Sequence, residues 1–230
     1  MDELVQKYLK WNMRNTLGKM KRNNKKGTRM EGTVFTPSLE TINYVKSEEG
    51  EILTRPFLDV CKNTLPAIDN FGSAMSFVKS DVGGNISRLE SKYLSNPTEF
   101  KLLRSIIEEE VDSKTAKQSS SCTIALLWLT RSIDFLVQLF RNLLEHPEWS
   151  MSRACADSYT KTLKRYHGLL AISSFGVAIK LAPDRKKFTE VMGGRGDLNS
   201  DMEKFCKACS PLLEQNHKLL ASVGMDNLKS

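Results

Sequence analysis

Asp81, Asn85 and Arg88 stand at i, i+4 and i+7, so any helix containing them presents all three on one face. By itself the trio reads as a solvated face with an Asp–Arg pair. The same stretch carries Gly83 and Gly84, each of which costs a helix ~1 kcal/mol relative to Ala. Adjacent glycines imply the close approach of another helix or of a ligand. Trp128 lies within an apolar run, with Arg131 three positions on. A buried indole wants a partner for its N–H, so Trp128 is either core or a binding plate. His167 follows Lys164-Arg165-Tyr166 at the start of a second apolar run, where a lone histidine is ordinarily a hydrogen-bonded core residue.

Cys206 and Cys209 have the spacing of a metal or redox pair. Zinc would want a second such pair or two well-placed histidines, and only His217 is near. The pair therefore reads as helix packing, and neither metal nor cofactor is expected. No G-x-S-x-G, H-E-x-x-H or phosphate-loop pattern occurs, so no enzymatic activity is expected. Five cysteines, an odd and widely spaced set, point to free thiols in a reducing compartment, and hence to a cytoplasmic protein.

The elements that must position these residues are helical. From Arg55 onward apolar residues recur at spacings of three and four, and Pro, Gly and Ser clusters fall between the runs. The pattern predicts helices at roughly 38–47, 55–70, 72–95, 98–113, 121–145, 150–181, 184–192 and 200–222. Strand signals are almost absent, which makes the chain all-α, one domain over 30–230. Two runs are apolar around most of their circumference: Ile124 to Leu144, and Leu169 to Leu181. Such helices are either central to a bundle or line an apolar cavity. The longest unbroken apolar run, Ile124–Leu129, falls far short of the ~20 residues of a membrane span, so a soluble protein is expected.

The net charge of +7 has one source. Residues 1–29 hold nine basic and two acidic residues of the chain's 34 and 27, which leaves 25 of each sign in 30–230. The body is neutral and a nucleic-acid partner is not expected. The N-terminal stretch 1–29 reads as a disordered or partly helical basic extension, with Met30 as an alternative start. Its Leu4, Tyr8 and Trp11 also fit an amphipathic membrane-surface anchor.

Three segments taken together resemble the glycolipid transfer protein family: Asp81-Val82-Gly83-Gly84-Asn85-Ile86-Ser87-Arg88, then Leu126-Leu127-Trp128-Leu129-Thr130-Arg131, then Tyr166-His167-Gly168. Their order and separations match, as does the Ala182-Pro183 that closes the second apolar helix. The likeness spans about residues 30–222 and is strongest to plant members. It implies a two-layer all-α sandwich that carries a glycosphingolipid between membranes without chemistry, as a monomer touching membranes transiently. It also implies a headgroup site made of Asp81, Asn85, Arg88, Trp128 and His167. Those types suit a sugar, whose hydroxyls both donate and accept and whose apolar face stacks on an aromatic plate. Asp81 would also accept the ceramide amide N–H, and His167 would donate to its C=O. The apolar runs then become pocket walls, with Ile124, Phe135, Leu139, Phe175, Ile179 and Leu65 as candidates; Phe175 alone has a family counterpart, the others following from periodicity.

Two positions depart from the family pattern. Arg88 replaces a Lys, which keeps the charge but allows bidentate contacts. Leu169 replaces a Trp that touches the membrane, and whether Tyr166 or Trp149 takes its place is left open. Family members that carry ceramide-1-phosphate have Lys at the Asn85 position and Arg at the Trp128 and Ser132 positions. Asn, Trp and Ser here favour a sugar over a phosphate. A glycolipid sensor would use the same residues. A glycolipid-cleaving enzyme would need a second acid beside Asp81 that the sequence does not identify.

Overall fold

A computed structural model describes residues 31–72 and 75–229. The periodic runs form helices α1 (Thr36–Ile42), α2 (Thr54–Lys62), α3 (Leu65–Asp69), α4 (Ser76–Ser95), α5 (Leu103–Asp112), α6 (Cys122–Glu145), α7 (Met151–Lys161), α8 (Leu169–Lys180), α9 (Arg185–Gly193) and α10 (Leu198–Ser222). Among the described residues the β-structure amounts to two isolated bridges, Lys46 with Ile52 and Leu53 with Leu102. The basic extension at 1–29 lies outside the described residues.

Helix α6 is the centre. It packs against α4, α5, α7 and α10, while α10 meets α1, α1 meets α2, and α2 returns to α4, which closes a ring of neighbours. Its length and composition would allow it to cross a membrane, but 72% of its most apolar window is buried by the rest of the chain. The start of α6 is fixed by a buried carboxylate. Glu110 accepts from the Cys122 and Thr123 N–H groups at 2.6 and 2.8 Å and from the Thr123 hydroxyl at 2.7 Å, satisfying donors that a helix N-terminus leaves unpaired and complementing its dipole. Ser121 completes the cap, its Oγ accepting from the Ile124 N–H at 3.0 Å. At the other end Arg185 donates to the carbonyls of Leu143, His146 and Trp149.

Several helices end earlier than periodicity predicts. The run at 38–47 stops at Ile42. The one at 55–70 breaks at Asn63-Thr64, because Pro66 lacks an N–H and its ring crowds the carbonyl four residues back. The helix expected at 98–113 opens with a 3-10 turn, Glu99–Lys101, and an extended Leu102. The largest departure is in 150–181. The Thr160 and Thr162 hydroxyls bond back to the Ala156 and Ser158 carbonyls at 2.9 and 2.7 Å, a pattern that competes with the helical ladder. A 3-10 turn at Lys164–Tyr166 follows, and the helix restarts only after Gly168.

Candidate functional site

The break at 162–168 is what creates the site. His167 sits on it in extended conformation (φ −89°, ψ 136°) rather than within a helix, which turns its ring toward α6. There it faces Trp128, with ring centroids 5.6 Å apart at 33°. Trp128, His167 and Asp81 converge on one open cleft of about 390 Å³ between α4, α6 and α8, whose apolar part includes Phe77, Leu163, Leu170 and Phe175.

Each polar group in the cleft is held from behind. Asn85, buried on the turn below, donates its Nδ2–H to Asp81 Oδ2 at 3.2 Å, so it orients the carboxylate rather than lining the cleft. Partial burial pushes the Asp81 carboxyl above its usual range, opposed by the charge of Arg88 and by the Asn85 hydrogen bond. Arg88 itself is turned away. Its Nη1 donates to the Ser119 and Ser121 carbonyls at 3.1 and 3.2 Å, and it does not line the cleft. The expected Asp–Arg contact is therefore a through-space influence, the long fork reaching the loop before α6 instead.

Behind Trp128, Arg131 is fully buried, its guanidinium 4.9 Å from the Trp128 ring and 3.4 Å from the Tyr166 ring. Its Nη2 donates to the Asp226 carbonyl at 2.6 Å. The plate is thus backed by a cation and a second ring. Tyr159 on α7 is the partner that sequence reasoning missed. Its hydroxyl lies 3.1 Å from His167 Nδ1, and its ring stacks on Phe175 at 4.8 Å and 10°. Burial, then the charge of Arg131, hold His167 below the usual imidazole pKa, while burial raises that of the Tyr159 hydroxyl. A neutral ring whose Nδ1 accepts from Tyr159 carries its proton on Nε2, free to donate. The only earlier signal for Tyr159 was its place on the apolar face of its helix.

The expected apolar walls are distributed differently. Phe175 lines the cleft. Phe135 lies on a seam between α4 and α6 that leaves the cleft floor at Val78, Ser132 and Leu163 and is closed, with about 10 Å³ of free space. Leu139, one turn beyond Phe135, is fully enclosed in the core, and Ile124, Leu65 and Ile179 pack against that core without reaching the cleft. Of the two alternatives at Gly83 and Gly84, another helix is not the one seen: among the described residues outside the helix's own backbone, no atom lies within 4 Å of a Cβ built on either.

Neither aromatic suggested in place of Leu169 is presented outward. Trp149 stacks on His146 at 3.9 Å with Arg153 over its ring at 4.4 Å, and Tyr166 is buried beneath Arg131. The four most exposed large apolar residues among those described are Leu169 (87%), Leu170 (83%), Leu181 and Val177, all on or just after α8. The Cys206 and Cys209 thiols are buried, and Cys206 Sγ donates to the Val137 carbonyl at 3.6 Å. Burial raises the pKa of both, that of Cys206 to about 11. They pack.

An all-helical fold with a few polar groups converging on an apolar cleft is the architecture of a lipid carrier. The family model for glycolipid transfer protein matches residues 52–194, and the chain belongs to that family. It is 62% identical over 201 residues to glycolipid transfer protein 1 of Arabidopsis thaliana, covering 87% of this chain and all of that one. It is 33% identical to glycolipid transfer protein 2 of the same plant, over 80% of this chain and 85% of the other. The solved structure of FAPP2, described as selecting simple glycosphingolipids with this fold, superposes with a TM-score of 0.79 at 26% identity, covering 86% of this chain and 100% of that one. Mouse ceramide-1-phosphate transfer protein shares the fold at a TM-score of 0.75 and 22% identity, covering 86% and 100% of the respective chains.

Proposed function

We propose that this protein transfers a glycosphingolipid with a small neutral sugar, of the glucosylceramide type, between membranes. The supporting observation is the convergence of Asp81, Trp128 and a neutral His167 on one mostly apolar cleft. Asp81 accepts from sugar hydroxyls and the ceramide amide N–H. Trp128 stacks on the sugar, and His167 Nε2–H donates to the amide carbonyl. A phosphate headgroup fits less well: no Lys or Arg is among the described residues lining the cleft, and a doubly charged phosphate demands such donors. The lipid chains enter at Phe175 and extend along the seam past Phe135, which must widen to take them. Shielding matters because exposing a chain of about 16 carbons to water costs on the order of 12 kcal/mol, at ~0.8 kcal/mol per CH₂. Docking uses the exposed Leu169, Leu170, Val177 and Leu181, whose outer face replaces a single aromatic anchor.

The test is transfer between vesicles of monohexosylceramide, lactosylceramide, ceramide-1-phosphate and phosphatidylcholine, with Asp81→Val and Trp128→Ala run beside the unaltered chain. Monohexosylceramide is expected to move fastest, and both variants to lose transfer with unchanged circular dichroism. Preference for ceramide-1-phosphate overturns the substrate class. Full activity in both variants overturns the site.

A further inference from the structure

On the next face of α6 lies a second concavity, also of about 390 Å³, bounded by α6, the 162–168 break and α10. Its character is opposite to that of the lipid cleft. Arg131, Arg141, Lys161, Arg165 and His217 line it, with Asp134 and Glu214 as the acids. The acids are already paired, Asp134 with His217 inside the concavity itself. Asp134 Oδ2 and Asp226 Oδ1 each lie 2.6 Å from a ring nitrogen of His217, so both nitrogens carry protons and the ring is a cation. Glu214 is largely exposed and paired with Lys218 at 2.7 Å.

The basic groups are less well matched. Lys161 pairs with Asp157 at 2.8 Å. Arg141 Nη2 donates to a neutral partner, Ser210 Oγ, at 2.6 Å. Arg165 lies 4.7 Å over the Tyr166 ring. Arg131 is the sharpest case. It is 99% buried, bonds the Asp226 carbonyl through Nη2, and leaves Nε and Nη1 without a hydrogen-bond partner among the described residues. Buried donors on a charged group are seldom left so, since each unmade bond carries a desolvation penalty.

We propose that this second cleft binds a phosphate-bearing anion, held by the guanidinium groups of Arg131, Arg141 and Arg165. Guanidinium forks match phosphate oxygens bidentately, and a charge of about −1.5 to −2 suits three of them. The volume lies at the lower end of small-ligand sites, so the phosphate is carried on a small organic group. This reading is independent of which headgroup the apolar cleft takes. The phosphate belongs either to a free phosphomonoester or to a phospholipid headgroup at a membrane, and the two sources are separable.

Calorimetric titration of the full chain at low salt would use glycerol 3-phosphate in one arm and phosphatidylcholine vesicles containing phosphatidic acid in the other. Arg141→Gln/Arg165→Gln removes two of the donors and leaves the basic residues of 1–29 in place. Arg165→Gln alone, at an exposed position, guards against a folding defect in the double variant. Saturable binding of glycerol 3-phosphate that weakens at least tenfold in the double variant and several-fold in Arg165→Gln, with glycolipid transfer unchanged, supports a free ligand. Binding confined to the vesicle arm and weakened in the same way supports a lipid headgroup. Absence of binding in both arms, or variants that bind as tightly as the unaltered chain, overturns the proposal.

Discussion

Replacing Tyr159 by Phe deletes one oxygen and tests the logic of the polar end of the cleft. The ring and its stack on Phe175 at 4.8 Å survive the change, so packing is preserved. What is lost is the hydroxyl 3.1 Å from His167 Nδ1. Without that donor the neutral imidazole is free to place its proton on either nitrogen, and Nδ1 becomes an acceptor without a partner. A neutral hydrogen bond contributes ~0.5–1.5 kcal/mol net. At ~1.36 kcal/mol per factor of ten, transfer of a fluorescent glucosylceramide between vesicles should slow by about 2- to 10-fold, while stability falls by ~0.5–1.5 kcal/mol. The His167 pKa should rise, because the lost bond favoured the neutral ring. Nitrogen-15 NMR of the histidines supplies the decisive readout: a proton on Nε2 in the unaltered protein and a tautomer mixture in the variant. A variant that transfers at full rate with its proton still on Nε2 would refute the assignment.

Three further outcomes are expected. Gly83→Ala and Gly84→Ala meet open space, so each should stabilise the fold by up to ~1 kcal/mol in denaturant unfolding; unchanged or lower stability would mean that the backbone there is strained. Leu169→Asp/Val177→Asp, at exposed positions outside the cleft, should weaken adsorption to phosphatidylcholine vesicles by tenfold or more, given ~1.5–3 kcal/mol per buried apolar side chain. Binding of a water-soluble short-chain glucosylceramide should be unaffected. His217, clamped by Asp134 and Asp226, has its pKa raised from 6.5 to about 9. Its stabilisation is therefore complete below pH 6.5 and lost as pH rises through 9, so the melting temperature should fall over that interval, and His217→Gln should flatten the decline.

How much of this was legible in the sequence depends on whether a feature is local. The shared face of Asp81 and Asn85 follows from helical spacing, and α4 carries it as expected. The centrality of α6 follows from its apolar circumference. The breaks were harder to see. Pro66 was available as a signal at 63–64, but the segment from Thr162 to Gly168 holds no proline and is interrupted by threonine back-bonding and the packing of Tyr166 beneath Arg131. Partners joined by the tertiary fold, Tyr159 with His167 across that break and Arg131 with Asp226 beyond α10, are separated in sequence by 8 and 95 positions, and no helical-neighbour spacing relates them. The direction of Arg88 was not legible for a related reason, since it is set by carbonyls more than 30 residues away. Of the expected lipid walls, Phe175 lines the cleft and Phe135 the seam beside it, while Leu139, Ile124, Leu65 and Ile179 pack in or against the core, because periodicity identifies an apolar face without saying whether protein or cargo will cover it.

Helix α8 buries only Phe175 and Ala178 of its 12 residues, while α6 buries 16 of 24. It is bounded by Gly168 and by Ala182-Pro183, and its main contact is with α7. Cooperative units with so little buried surface open at a small fraction of the global unfolding free energy. Amide exchange should therefore fall into two classes, fast in α8 and slow in α6, and excursions of α8 would leave the core intact. Turnover and thermostability then belong to different parts of the molecule. Substitutions that tighten the α6 core can raise the melting temperature without slowing the helix that flanks the cleft.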